Sequence, residues 1–240
     1  MELSNYHKKI SSFLVHFFTS IGVIAGFFAL LSVFSNSIVN AFLWLCLAFL
    51  IDGLDGPLAR KVNVKEISPH IGGEVLDNII DYFNYVVVPA FMVYKFDFVP
   101  AGQEAFVSIA ILLVSCYTFS NSRYLTEDNY FRGFPAIWNV VIFYFYILQT
   151  SQVINLIVVL VFCVLTFIPL KYIHPFRVEK KRAITLSVTI LWMISSFFLL
   201  VIDKSNTLVF WVWITSTIYF LYVSLTRSLQ KTLEADEEDV

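Results

Sequence analysis

Residues 38–94 read IVNAFLWLCLAFLIDGLDGPLARKVNVKEISPHIGGEVLDNIIDYFNYVVVPAFMVY. Two apolar runs, 38–56 and 72–94, flank a short polar middle. Each is about the 20 residues that an α-helix needs to cross the hydrocarbon of a bilayer. Asp52 and Asp55 stand three apart at the end of the first run, and so share one helix face. Gly73, Asp77 and Asp81 follow at four-residue steps in the second run, and stack on one face in turn. A connection as short as 60–72 makes the two helices antiparallel neighbours. The spacing therefore predicts four carboxylates converging at one membrane interface.

Outward from this stretch the pattern repeats. The chain is 58% hydrophobic and 14% charged, with mean hydropathy +0.77, against about a quarter charged in soluble domains. Eight spanning helices are predicted, at 11–34, 38–56, 72–94, 104–120, 134–149, 152–170, 184–202 and 207–227. Period-2 alternation is absent, so the expected class is all-α, a polytopic membrane helix bundle. Neither a repeat nor a linker divides the chain, and a single domain over 1–240 is expected. The first apolar run lacks a small-residue cleavage site and reads as a retained helix.

With both termini placed in the cytoplasm, 14 of the 16 Lys and Arg residues fall on that side, and Lys95 and Lys204 on the other. This is the asymmetry that orients membrane proteins. There is no basic stripe to suit nucleic acid. Cys46, Cys116 and Cys163 lie inside apolar runs, with neither zinc nor disulfide spacing. The acidic tail Glu234–Asp239 reads as a solvated cytoplasmic end.

Four carboxylates brought together at low dielectric cannot all stay ionised without compensation. Arg60 is the one obvious counter-charge in the stretch. A divalent cation solves the problem, and all-oxygen ligation suits Mg2+ or Mn2+, which pair carboxylates with substrate phosphates. Gly56 and Gly73 remove side chains where a phosphate or nucleotide must approach. Pro57 removes a helical hydrogen bond and is expected to bend the helix at the site. One such aspartate would read as a solvated helix end; four at helical spacing on adjacent helices do not.

Asp52, Asp55, Gly56, Ala59, Arg60, Gly73, Asp77 and Asp81 together resemble the signature of the CDP-alcohol phosphatidyltransferase family. That signature runs Asp-x-x-Asp-Gly-x-x-Ala-Arg, then a spacer, then Gly-x-x-x-Asp-x-x-x-Asp. The spacer here is 12 residues, longer than is usual in the family. That length, the extra Gly53 and the eight predicted spans resemble the bacterial branch whose acceptor alcohol is choline. The stretches Asp128–Asn139 and His174–Arg177 are similar to that branch as well. The resemblance implies transfer of the phosphatidyl group of CDP-diacylglycerol to choline at the cytoplasmic face of the bacterial inner membrane. It implies Asp52, Asp55 and Asp77 as ligands of Mn2+ or Mg2+, and Asp81 as general base with a possible second role as ligand. It implies Gly56, Ala59, Arg60 and Gly73 at the CDP moiety, and a homodimer.

Choline is a quaternary ammonium, which aromatic faces hold. Tyr82, Tyr85, Tyr124 and Trp138 are candidates by proximity to the motif or to the matching loop, although each also fits simple packing. His16 with Thr19 is a candidate contact to cytidine, with interhelical hydrogen bonding as the plainer reading. Other family members, acting on serine or glycerol 3-phosphate, are the nearest alternative; an acceptor bearing phosphate would call for more cationic residues at the site. A divalent-cation transporter would need a polar half-pathway on the far side, where only loop charges such as Asp97, Glu104 and Asp203 are found.

Overall fold

The computed structural model describes residues 2–121, 125–126, 128–178 and 181–238, with the side chains of 2–5 and 230–238 left out. It is helical almost throughout. Among the described residues, four helices are long and apolar enough to cross a membrane: Tyr6–Phe34, Ile38–Val62, Arg182–Val201 and Thr207–Leu229, with mean hydropathy of 1.7 to 2.2. Glu104–Ser120, Trp138–Leu148 and Gln152–Leu165 are shorter apolar helices. Large apolar side chains such as Phe13, Phe17, Ile24, Leu31, Ile190 and Ile194 point outward, exposed. Faces of this kind fit a lipid solvent. In such a solvent polar groups must be satisfied within the chain. Accordingly Ser20, Ser32, Thr189 and Ser216 return their hydroxyl protons to carbonyls four residues back.

The chain divides into two compact units. The first comprises residues 1–116 with 137–143 and 151–153. Here α1 (Glu2–Phe34) packs against α2 (Ile38–Val62). Small residues let the backbones approach: Ala25 and Ala29 on α1, Ala41 and Ala48 on α2, all buried. α2 runs unbroken through Pro57 and carries Arg60 and Lys61 in its last turn, where cations suit the helix dipole. It stops at Asn63, which adopts the left-handed conformation with φ 61°. A one-turn helix, α3 (Val64–Ile67), leads to α4 (Gly73–Tyr82). A π-helical turn over Phe83–Val87 then passes into α5 (Val88–Lys95). The predicted 72–94 span is thus one continuous helical run in three parts. α6 (Glu104–Ser120) follows, and its first part lies in this unit.

α1 receives the α4–π segment through Gly22 and Gly26. A methyl group at Gly26 would sit 2.0 Å from Asn84 Oδ1 and 2.8 Å from the Phe83 ring; one at Gly22 would lie 3.0 Å from Ile80 Cγ2. Asn84 Nδ2 donates to the Gly22 carbonyl at 3.2 Å. This is the small-xxx-small device of membrane helices with an interhelical hydrogen bond added.

The second unit comprises 117–136, 144–150 and 154–240. It contains the second part of α7 (Trp138–Leu148) and most of α8 (Gln152–Leu165), together with α9 (Arg182–Val201) and α10 (Thr207–Glu238). Tyr144 stacks on Trp213 at 4.4 Å and accepts a hydrogen bond from Trp192 Nε1 at 2.9 Å. Thr185 and Tyr219 join α9 to α10 at 2.8 Å. The expected all-α class has one local correction. Phe131–Arg132 (β1) pairs antiparallel with Lys171–Tyr172 (β2). The predicted starts and ends at 134 and 170 shift for that reason. Pro135 disfavours helix in the residue before it, and Ala136 is left-handed at φ 56°. Phe134 and Gly133 donate their N–H groups to the carbonyls of Leu165 and Leu170. Gly133 is obligatory here, because its φ is 78° and a Cβ would lie 2.3 Å from the Thr166 carbonyl oxygen.

Candidate metal and nucleotide site

α2 and α4 bring three of the four predicted carboxylates together. One carboxylate oxygen from each of Asp52, Asp55 and Asp77 lies within 4.8 Å of the others. Asp55 is buried, and Asp52 and Asp77 are half-buried. The set fits a small divalent cation in size and in chemistry. Oxygens on opposite sides of Mg2+ stand about 4.2 Å apart, so sub-ångström adjustment suffices. Asp81 falls outside that set, one helical turn past Asp77, yet close enough to act electrostatically on the Tyr85 hydroxyl.

The glycines of the motif leave room that named side chains use. A Cβ at Gly56 would lie 3.4 Å from an Arg60 guanidinium nitrogen, so Arg60 folds back along α2 over Gly56. A Cβ at Gly73 would lie 3.1 Å from His16 Cε1, so the His16 ring covers the start of α4. His16 is buried, and its Nε2 has no hydrogen-bond partner among the described residues. Below it, Ser12 donates to Ser68 at 2.8 Å and pins α1 to the segment entering α4. Thr19 returns its proton to the Val15 carbonyl. Ala59 is half-buried on the α2 turn that ends in Arg60.

The aromatic candidates have different surroundings. The Tyr85 hydroxyl donates to Asp52 Oδ2 at 2.5 Å. The Tyr82 hydroxyl lies 3.1 Å from both the Leu112 carbonyl and Cys116 Sγ, tying α4 to α6. Trp138 is fully buried and donates from Nε1 to Ser115 Oγ at 2.8 Å. Tyr124 lies outside the described residues.

The family-like stretch Asp128–Asn139 is tied to the chain just before the second one, His174–Arg177, by the β1–β2 ribbon. Lys171 Nζ lies 2.8 Å from Asp128 Oδ2, and Phe131 stacks on His174 at 4.7 Å. Partial burial alone would raise the Asp128 carboxyl; hydrogen bonds from Lys171 and Thr126 outweigh it and hold the group below its ordinary value. Ser224 and Ser228 of α10 accept the N–H groups of Ile173 and Lys171. Sequence reasoning did not find Gly22, Gly26, Asn84 or this ribbon. The Gly22-xxx-Gly26 spacing was the readable signal for the first two.

Comparison with known proteins agrees with the geometry. The family model for CDP-alcohol phosphatidyltransferase matches residues 13–168, which include every residue of the Asp/Gly motif. The chain belongs to the CDP-alcohol phosphatidyltransferase family. Among its relatives are proteins named phosphatidylcholine synthase. That of Pseudomonas aeruginosa is 42% identical over 225 residues, covering 93% of this chain and 94% of the relative. That of Rhizobium meliloti is 34% identical over 227 residues, covering 93% and 94%. That of Borreliella burgdorferi is 35% identical over 216 residues, covering 90% and 92%.

Proposed function

We propose that the chain is a phosphatidylcholine synthase, which transfers the phosphatidyl group of CDP-diacylglycerol to choline and releases CMP. The observation that carries the reading is the Asp52–Asp55–Asp77 cluster, formed by a family motif in a chain whose full-length relatives bear that name. The choline hydroxyl oxygen bonds to the phosphorus that carries diacylglycerol, and the bond from that phosphorus to the CMP oxygen breaks. Asp52, Asp55 and Asp77 would hold Mn2+ or Mg2+, which when bound neutralises charge on the diphosphate and on the departing CMP. Asp81 takes the hydroxyl proton, its place one turn beyond Asp77 being suited to a group that faces the acceptor rather than the diphosphate.

Arg60 offers its guanidinium to phosphate, and Gly56, Ala59 and Gly73 let CDP approach the backbone of α2 and α4. Tyr82, Tyr85, Tyr124 and Trp138 remain our candidates for the ammonium, with Tyr85 the one placed directly at the aspartates. The site faces the cytoplasm of the bacterial inner membrane, where CDP heads and free choline arrive. By resemblance the active form is a homodimer. The test is purified protein with CDP-diacylglycerol, Mn2+ and a panel of labelled alcohols. Labelled lipid is expected with choline and not with serine, inositol or glycerol 3-phosphate. Efficient product from one of those in place of choline overturns the assignment.

A further inference from the structure

The Asp52 carboxylate is gripped from a direction that the motif does not contain. Tyr85 lies 33 positions away in sequence and is buried, and its hydroxyl donates to Oδ2 at 2.5 Å. What brings it there is a break in helix regularity. In a regular α-helix each four-residue step drifts by about 40°, so Tyr85 would stand about 80° around the axis from Asp77. Between Phe83 and Val87 the helix widens to a π turn, and Val88 donates its N–H to the Phe83 carbonyl, five residues back. More residues per turn means less rotation per residue, and the drift is reduced.

Pro89 gives the widening a local cause. It has no N–H to offer the Tyr85 carbonyl, and its ring would crowd that carbonyl in an α ladder. Asn84, inside the same turn, holds the segment to α1 through Gly22. The turn is therefore fixed on two sides, by Asn84 on α1 and by Tyr85 on α2. π turns of this kind recur at functional sites.

We propose that Tyr85 is a positioning residue for the metal centre: its phenol fixes the orientation of Asp52, and the π turn over Phe83–Val87 exists to deliver it. A carboxylate held at one oxygen by a phenol cannot swing freely, so its other oxygen keeps a set direction. Hydrogen bonds to metal ligands of this sort commonly govern affinity by about 10–100-fold. The inference rests on the reading that the three aspartates bind a divalent cation, and adds a residue outside the motif to that site.

The experiment is a titration of the chelator-stripped, detergent-purified protein with Mn2+, reading free Mn2+ by electron paramagnetic resonance and with no substrate present. Tyr85→Phe removes only the hydroxyl, Tyr85→Met also removes the ring, and Tyr94→Phe, at an exposed tyrosine of α5, serves as control. Both Tyr85 variants are expected to bind Mn2+ about 10-fold or more weakly, while Tyr94→Phe matches the parent. The metal-free melting midpoint of Tyr85→Phe is expected to stay at the parent's. Unchanged Mn2+ affinity in the folded Tyr85 variants overturns the proposal; so does an affinity loss that merely follows a lowered metal-free midpoint. A parent protein that binds no Mn2+ overturns the metal reading itself, which separates the two failures.

Discussion

Asp77 and Asp81 sit one helical turn apart, and the structure separates their surroundings: Asp77 lies in the set within 4.8 Å with Asp52 and Asp55, and Asp81 does not. Asp81→Asn is therefore expected to lower turnover by about 10²–10⁴-fold, the usual contribution of a general base, while CDP-lipid binding at fixed Mn2+ is largely kept. Asp77→Asn is expected to lose that binding as well. Direct binding of a CDP-lipid to the two purified variants checks this; equal loss in both would make Asp81 a fourth ligand. At this scale the aspartates were legible in sequence because carboxylates in an apolar run admit few bland readings, and because 3- and 4-residue steps state their own geometry. Tyr85 was legible only as one aromatic in a chain that is 18% aromatic. Its contact with Asp52 depends on a π turn, and no periodicity announces one. The sequence offers His16 as a candidate contact to cytidine or an interhelical hydrogen bond, but its cover over Gly73 is a tertiary contact.

Among the elements, the joint between α1 and the α4–π segment supports the site most directly, since it fixes the helix that carries Asp77 and Asp81. Gly26→Ala places a methyl group 2.0 Å from Asn84 Oδ1, and backbone or side chain must shift to admit it. Overpacking of this kind costs about 1–3 kcal/mol. A lowered melting midpoint in detergent, together with reduced turnover, is the expected result, and a Gly26→Ala protein that melts like the parent would contradict the packing. Hydropathy located the four helices that, among the described residues, are long and apolar enough to cross a membrane, because burial in lipid leaves a run of apolar residues whatever the tertiary arrangement. Helix ends were less readable. α2 runs to Val62, past the end expected at 56, because Pro57 removes one hydrogen bond without ending a helix already under way, and the helix ends only at left-handed Asn63. α7 starts at Trp138 rather than 134, and α8 ends at Leu165 rather than 170, because the chain on either side of them serves the β1–β2 ribbon. That ribbon pairs residues 39 and 41 positions apart through only two residues each, too short to leave a period-2 signal.

For the whole molecule, fold class and family follow from few residues, because a bilayer admits so few architectures and the Asp/Gly motif is long. The proposed cytoplasmic placement of the site rests on the skew of Lys and Arg in the sequence. Single cysteines at positions 65 and 204, in a background lacking Cys46, Cys116 and Cys163, are expected to react from opposite sides of the membrane. Labelling of position 65 from the outside would move the proposed site to the wrong face. The central claim joins metal, aspartates and acceptor, and one measurement reaches all three: CMP released from CDP-diacylglycerol by purified protein, with and without choline, as Mn2+ is removed by chelator and restored. Release that requires choline, stops in chelator, returns with Mn2+ and is absent in Asp77→Asn is the result predicted here. Choline-dependent release that continues in excess chelator, or that survives in Asp77→Asn, would contradict it.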